Sequence, residues 1–259
     1  MTLVRDSWAA VRRLTPARVG LGRTGVSLPT ARHLEFQQAL ALARDAVAAV
    51  WDTAVLSGEL RAVGFDVVTC QSAAADRRTY LRRPDLGRRL SPESRTVLES
   101  QQSSKLDLVV VVADGLSAAA SQRQAAPLVG ALRELLPQKQ WRLGPVVLVQ
   151  QGRVAVGDEV GEILNAGAVA VLIGERPGLS AVDSLGAYVT WAAHPGSRDA
   201  ERNCVSNIHP GGLSPADGAR SLAALLNSAR ALQRTGIALS QALAAATPAP
   251  LLRGPVDDR

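Results

Sequence analysis

Leu106-Asp-Leu-Val-Val-Val-Val-Ala113 is the stretch that decides the fold. Past Asp107 it is a continuous, mostly β-branched run with no polar alternation. A strand needs that pattern when both of its faces are covered, and such strands belong to parallel sheets flanked by helices. The run ends in Asp114-Gly115-Leu116-Ser117, and an Ala-rich helical stretch follows, with a break expected at Pro127. Pro145-Val-Val-Leu-Val149 is a second strand of the same kind, followed by Gln151-Gly-Arg-Val154. Asp158 can then cap a helix that carries Val160, Ile163 and Leu164 on one face. Ala168-Val-Ala-Val-Leu-Ile173 is a third strand, ending in Gly174-Glu175-Arg176-Pro177-Gly178, and Tyr188 to Ala192 is read as a fourth. Ser214-Pro215 starts a last helix with Leu222, Leu225, Ala229 and Leu232 inward. Strand and helix alternate, so residues 104–259 are expected to form an α/β, Rossmann-like domain with a parallel, doubly wound sheet. Its last residues, 244–259, are rich in Ala, Pro and charge and are expected to fray.

Upstream, residues 1–103 read as a mainly helical N-terminal domain. Thr30, after Pro29, sets up an N-cap, and Phe36, Leu40, Ala43, Val47 and Val50 follow at steps of three and four, one apolar helix face. Gly20, Gly22 and Gly25 spell G-x-G-x-x-G, but no strand precedes them, so the plain reading is a turn-rich approach to that helix. Val63 to Cys70 reads as a short strand. Tyr80-Leu-Arg-Arg-Pro-Asp-Leu-Gly-Arg-Arg-Leu90 is a dense basic loop. Ser91-Pro92-Glu93 then opens a helix expected to run to about Gln102.

Composition narrows the function. The 259 residues are 47% hydrophobic and 20% charged, the balance of a globular chain long enough for a sizeable core. The longest apolar runs are far shorter than the roughly 20 residues of a membrane helix, and Met1 to Arg13 has no apolar core of a secretory signal. Cys70 and Cys204 are the only cysteines, too few for a disulfide framework, so a cytoplasmic setting is expected. Three histidines and two cysteines give no metal-ligand spacing. The net charge is +6, nearly all from arginines scattered in pairs, while aromatics are only 3%. That leaves little for a base-stacking platform, so nucleic acid is not the expected partner.

In an open parallel sheet, ligands bind outside the carboxyl ends of the strands. Those ends carry Asp114-Gly115, Gln151-Gly152-Arg153-Val154 and Gly174-Glu175-Arg176-Pro177-Gly178. Asp114 and Glu175 can accept hydrogen bonds from ligand amides or hydroxyls, and Arg153 and Arg176 can donate to phosphate. The plain alternative is that both carboxylates bind loop amides. The other polar cluster is Arg202-Asn-Cys-Val-Ser-Asn-Ile-His-Pro-Gly-Gly212. Cys204 and His209 invite a nucleophile–base reading, but no strand–turn–helix elbow surrounds Cys204. A buried, packed thiol and a satisfied loop histidine are the expectation. From the residues alone two further functions stay open. One is an independent α/β enzyme using Asp114, Glu175 and Cys204; the other is a basic nucleic-acid-binding module.

Five stretches, in order along the chain, resemble the ethanolamine ammonia-lyase small-subunit family. They are Thr15-Pro-Ala-Arg-Val-Gly-Leu-Gly-Arg-Thr-Gly25 with Ser27-Leu-Pro-Thr30, Tyr80 to Leu90, Val112-Ala-Asp-Gly-Leu-Ser117, Gly161-Glu-Ile-Leu164 with Leu172-Ile-Gly-Glu-Arg-Pro-Gly-Leu179, and Cys204-Val-Ser-Asn-Ile-His-Pro-Gly-Gly212. Each is weak alone; together they are specific. The resemblance implies a two-chain, adenosylcobalamin-dependent lyase that converts ethanolamine to acetaldehyde and ammonia. Homolysis of the Co–C bond gives the adenosyl radical, in a site held by a TIM-barrel large subunit. In this picture the chain is a subunit of a hetero-oligomer with no catalytic or metal-ligating residue of its own. It closes the cobalamin site, with Val154, Glu175 and Cys204 as the implied corrinoid contacts. Asn207-Ile-His209-Pro-Gly-Gly212 approaches the D-x-H-x-x-G of proteins that put histidine on cobalt, but the Asp is missing and the resembled family keeps the nucleotide base there. His209 is therefore read as a loop residue. The stoichiometry, and packaging in a bacterial microcompartment, are left open by the sequence.

Overall fold

The computed structural model describes residues 8–102, 104–137 and 139–246. The sheet has six strands: β1 (Val67–Gln71), β2 (Leu106–Ala113), β3 (Leu143–Gln150), β4 (Ala166–Gly174), β5 (Leu185–Trp191) and β6 (Arg202–Ile208). Their order is β1-β3-β2-β4-β5-β6. β1, β3, β2 and β4 run parallel, whereas β5 and β6 pair antiparallel to their neighbours. The chain is α/β as expected, but the sheet is mixed rather than wholly parallel. The reason is the link from β4 to β5. It holds no helix, and without a crossover the chain can only return antiparallel. β6 falls on the segment read only as a polar cluster.

The β2 run behaves as its composition requires. Leu108, Val110 and Val112 enter one core, and Val109, Val111 and Ala113 enter the other. On the first face lie α3 (Thr53–Ala62), α6 (Ala118–Leu135) and α8 (Pro215–Leu232), through residues such as Leu56, Leu60, Leu128, Leu132, Leu222 and Leu226. On the second lie α5 (Pro92–Glu99) and α7 (Val156–Ile163), through Leu98, Val156, Val160 and Ile163. Burying each such side chain stabilises the fold by roughly 1.5–3 kcal/mol relative to exposure.

Local signals held where neighbours along the chain decide. Ser91 and Ser214 cap α5 and α8 by accepting from Ser94 N at 3.2 Å and Asp217 N at 3.1 Å. Elsewhere the fold departs from expectation. α6 runs through Pro127 unbroken, because Ala125, Ala126, Leu128 and Val129 around it are all buried and offset the lost hydrogen bond. α7 begins two residues before Asp158, which sits inside its first turn and serves a partner described below. Besides the short helices α1 (Ala9–Arg12) and α4 (Arg77–Arg82), the N-terminal part holds α2 (Thr30–Ala48), which has Pro29, not Thr30, at its N-cap. α2 buries only Ala39 and Ala46, while Phe36 and Leu40 stay about a third exposed and Val50 is 95% exposed. The short strand read at 63–70 is β1, on the sheet's edge beside β3. The helix from Pro92 stops at Glu99, short of Gln102. The terminal helix α9 (Ile237–Ala246) includes residues 244–246; the rest of the stretch expected to fray, 247–259, lies outside the described residues.

Candidate functional site

Loops after β2, β3 and β4 meet at one edge of the sheet. Beyond α7, the face of the β5–β6 wing on that side is uncovered by any helix among the described residues. A crevice results from two adjoining hollows. One, of about 460 Å³, is lined by Tyr80, Leu116, Arg153, Val154, Ile173, Glu175 and Tyr188 among others. The second, of about 390 Å³, takes in Arg88, Arg153, Val154, Tyr188, Arg202 and Cys204. Arg153, Val154 and Tyr188 are common to both. The fold therefore brings Val154, Glu175 and Cys204 to one crevice, around a tyrosine the sequence reading had not singled out. Tyr188 and Cys204 are register partners on β5 and β6, which is why they share a face.

Glu175 is half-buried and held by its surroundings. Its N–H donates to Ser184 O at 2.9 Å, and its Oε2 accepts from the Ser184 hydroxyl at 2.5 Å and from Asn207 N–H at 3.4 Å. Cys204 corrects the expectation of a buried thiol: it is exposed on β6, with Ser206 Oγ 3.1 Å from its sulfur. It is exposed because β6 is the sheet's last strand and no helix among the described residues covers it. Crowding by neighbours around the sulfur still raises the thiol's pKa, chiefly by desolvation. Tyr188 is raised to about 12, first by burial and then by Cys204. Both groups are therefore neutral at physiological pH, and neither is an activated nucleophile.

His209 is engaged on both ring nitrogens. Gly211 N–H donates to Nδ1 at 3.1 Å, which leaves the proton on Nε2, 2.7 Å from Asn207 Oδ1. This is the satisfied loop histidine that the spacing suggested. Asp114 does not face the crevice. It is 3% exposed, 3.7 Å from Arg77 Nη1, and approached by the backbone amides of Gly152 and Gln151. Burial outweighs these partners and pushes its carboxyl up to about 6. A constellation of Asp114, Glu175 and Cys204 is thus not assembled, because Asp114 is buried against Arg77 and the amides that follow β3 and lines neither hollow. Arg153 is also committed: its guanidinium lies 4.5 Å over the Tyr80 ring and donates to Tyr80 O at 3.1 Å, and its N–H donates to Gly87 O at 2.7 Å. The basic loop is in this way clamped to the Gln151-Gly-Arg-Val turn that carries Val154.

Below the crevice, Arg202 and Asp158 form a buried pair with both side chains 3% exposed. Two parallel bonds of 2.7 Å join the guanidinium to the carboxylate, and Thr190 Oγ1 and Ser197 O accept a second bond from Nη1 and Nη2, while Nε lies 3.6 Å from the Asp199 carboxylate without a hydrogen bond. The pair ties β6 to α7 and so fixes Cys204 relative to Val154. Arg202 is a residue that sequence reasoning missed; its only signal was an arginine beside Cys204, and nothing local named its partner. The described residues contain no cluster of groups able to hold a metal ion, and no helix long and apolar enough to cross a membrane.

The chain matches the family model of the ethanolamine ammonia-lyase light chain (EutC) over residues 5–240. It is 53% identical over 237 residues to the ethanolamine ammonia-lyase small subunit of Azotobacter vinelandii, covering 90% of this chain and 88% of the relative. It is 53% identical over 238 residues to the small subunit of Xanthomonas campestris pv. campestris, covering 91% and 88%. To that of Ralstonia nicotianae it is 50% identical over 244 residues, covering 93% and 90%. The chain belongs to the ethanolamine ammonia-lyase light-chain family, the small subunits of a lyase.

Proposed function

We propose that the crevice is this chain's half of the adenosylcobalamin site and that the large subunit of the lyase closes the other half. The reaction is the conversion of ethanolamine to acetaldehyde and ammonia. The observation that carries the reading is the convergence of Val154, Glu175 and Cys204 on one crevice. The residues fit the group. A corrin offers a broad apolar face and a rim of amides, which calls for aliphatic or aromatic contact plus a few fixed acceptors. Val154, Leu116, Ile173 and Tyr188 supply the apolar wall, and Glu175 the acceptor. Cys204 packs as a small polarizable side chain. When bound, the cofactor supplies the radical chemistry, through homolysis of its Co–C bond. This chain's residues bind, orient and shield; none of them moves a proton or attacks the substrate.

In this reading residues 1–103 are the partner-contacting region and residues 104–259 the cobalamin-contacting one, with Tyr80 and Arg88 of the first part also lining the crevice and β1 joining the sheet. Leu14, Val26, Leu34, Leu42 and Val50 are 87%, 100%, 61%, 51% and 95% exposed, an apolar surface suited to a partner chain. The cytoplasm suits a chain whose two cysteines, Cys70 and Cys204, are free thiols.

Reconstitution with the large subunit tests the proposal. This chain alone should release no acetaldehyde from ethanolamine and adenosylcobalamin, and the mixed chains should. A hydrogen bond to a charged acceptor is worth roughly 1.5–3 kcal/mol. Glu175→Ala should therefore raise the cofactor Kd about ten- to a hundred-fold. Glu175→Gln, which keeps an acceptor, should do less. Unchanged cofactor affinity in Glu175→Ala with a lowered melting temperature would make Glu175 a purely structural residue and overturn the assignment.

A further inference from the structure

We propose that Ser184 is a positioning residue: it holds the Glu175 carboxylate in the orientation that presents Oε1 to the crevice. The inference rests on the reading of Glu175 as a corrinoid contact and adds the residue that makes that contact possible. Ser184 is buried, 8% exposed, and lines neither hollow, so any effect it has on a ligand must pass through Glu175. The two residues lock each other from both ends. The main chain of Glu175 donates to Ser184 O at 2.9 Å, and the Ser184 hydroxyl donates back to Oε2 at 2.5 Å. Asn207 N–H approaches the same oxygen at 3.4 Å. Both protein donors thus fall on Oε2, and Oε1 is left as the acceptor for a ligand.

The strand beneath is shaped to the same end. A Cβ added at Gly186 would lie 2.9 Å from Glu175 Oε1 and 3.2 Å from the Tyr188 ring. Glycine at that place lets the carboxylate lie across β5. A glutamate at a sheet edge otherwise samples several rotamers, and ordering it on binding opposes affinity. Ser184 does the ordering beforehand, in the protein without ligand. The two residues are nine apart in sequence and meet only because β4 and β5 form an antiparallel pair.

The test is a double-mutant cycle in the reconstituted two-chain complex, with adenosylcobalamin binding measured by equilibrium dialysis and turnover by acetaldehyde release. Ser184→Ala should raise Kd roughly three- to tenfold, the effect of losing one orienting hydrogen bond, while kcat at saturating cofactor changes less than about twofold. In the Glu175→Ala background, Ser184→Ala should add nothing. Gly186→Ala, which keeps the hydroxyl but crowds Oε1 and, more loosely, the Tyr188 ring, should weaken binding more with Glu175 present than without it. Equal weakening by Ser184→Ala in both backgrounds would mean that the serine acts by another route and would overturn the proposal. So would an unchanged Kd in Ser184→Ala while Glu175→Ala still weakens binding; there the positioning role fails and the contact stands. Unchanged affinity in Glu175→Ala would instead remove the contact itself.

Discussion

Asp114→Asn should remove a pH dependence of stability that the native chain carries between about pH 4 and pH 7. Asp114 directly follows the central strand β2, with a side chain 4% exposed. Desolvation is the largest influence on its carboxyl; the Arg77 guanidinium at 3.7 Å and the nearby amides of Gly152 and Gln151 pull back only part of it. The carboxyl is pushed up to about 6 from 3.8. The folded state therefore binds the proton more tightly than the unfolded state does. Stability from this group is fully present below the unfolded value and is lost as the pH rises through about 6. A shift of about two pH units, at about 1.36 kcal/mol each, makes the full loss about 3 kcal/mol. Other carboxylates push the opposite way: Asp76, Asp85, Asp107 and Asp217 are all held below their ordinary values, so the whole chain also loses stability in acid. Subtraction isolates Asp114. Urea unfolding of the native chain and of Asp114→Asn, at half-unit steps from pH 4 to pH 7.5, yields their difference. That difference should shift by up to about 3 kcal/mol against the native chain as the pH rises. The attraction to Arg77 acts only on the ionised carboxylate and is already contained in the raised value, and Arg77 keeps its bonds to Val47 O and Gly115 O in the variant. Curves that run parallel within about 0.5 kcal/mol over the whole window would refute the desolvation argument.

Arg202→Ala strands the buried Asp158 carboxylate and should cost about 3–5 kcal/mol in urea unfolding, whereas the paired change Arg202→Met with Asp158→Leu should cost much less. Similar losses in the two variants would show that the pair's energy is not dominated by the stranded charge. Cys204→Ala should raise the cofactor Kd of the reconstituted enzyme about fivefold, the loss of a contact worth on the order of 1 kcal/mol, and leave turnover at saturating cofactor largely intact. A fall of several orders of magnitude in turnover with normal folding would identify a nucleophile after all.

The sequence by itself determined the three central strands near 106–113, 145–149 and 168–173. A strand covered on both faces must be apolar at every position, and that requirement is written in consecutive residues. It also determined the starts of α5 and α8, where a serine and a proline act on amides within three positions. The family motifs, each readable in a few residues, contain Glu175 and Cys204, and the resemblance they carry implied Val154. Only the tertiary structure decided where those residues sit relative to one another. The antiparallel return of β5 and β6 was latent in the helix-free link after Gly174, yet it took the assembled sheet to set Tyr188 beside Cys204 and Ser184 under Glu175. Asp114 and Glu175 look alike as strand-end carboxylates; burial beneath Tyr80 and Arg77 withdraws the first, and an open edge leaves the second at the crevice. Asp158 reads locally as a helix cap, but an arginine 44 residues away claims it as a buried partner. Caps and strand runs depend on neighbours within a few residues. Burial, pairing direction and the partner of a charge depend on groups dozens of residues apart, which only the folded chain brings together.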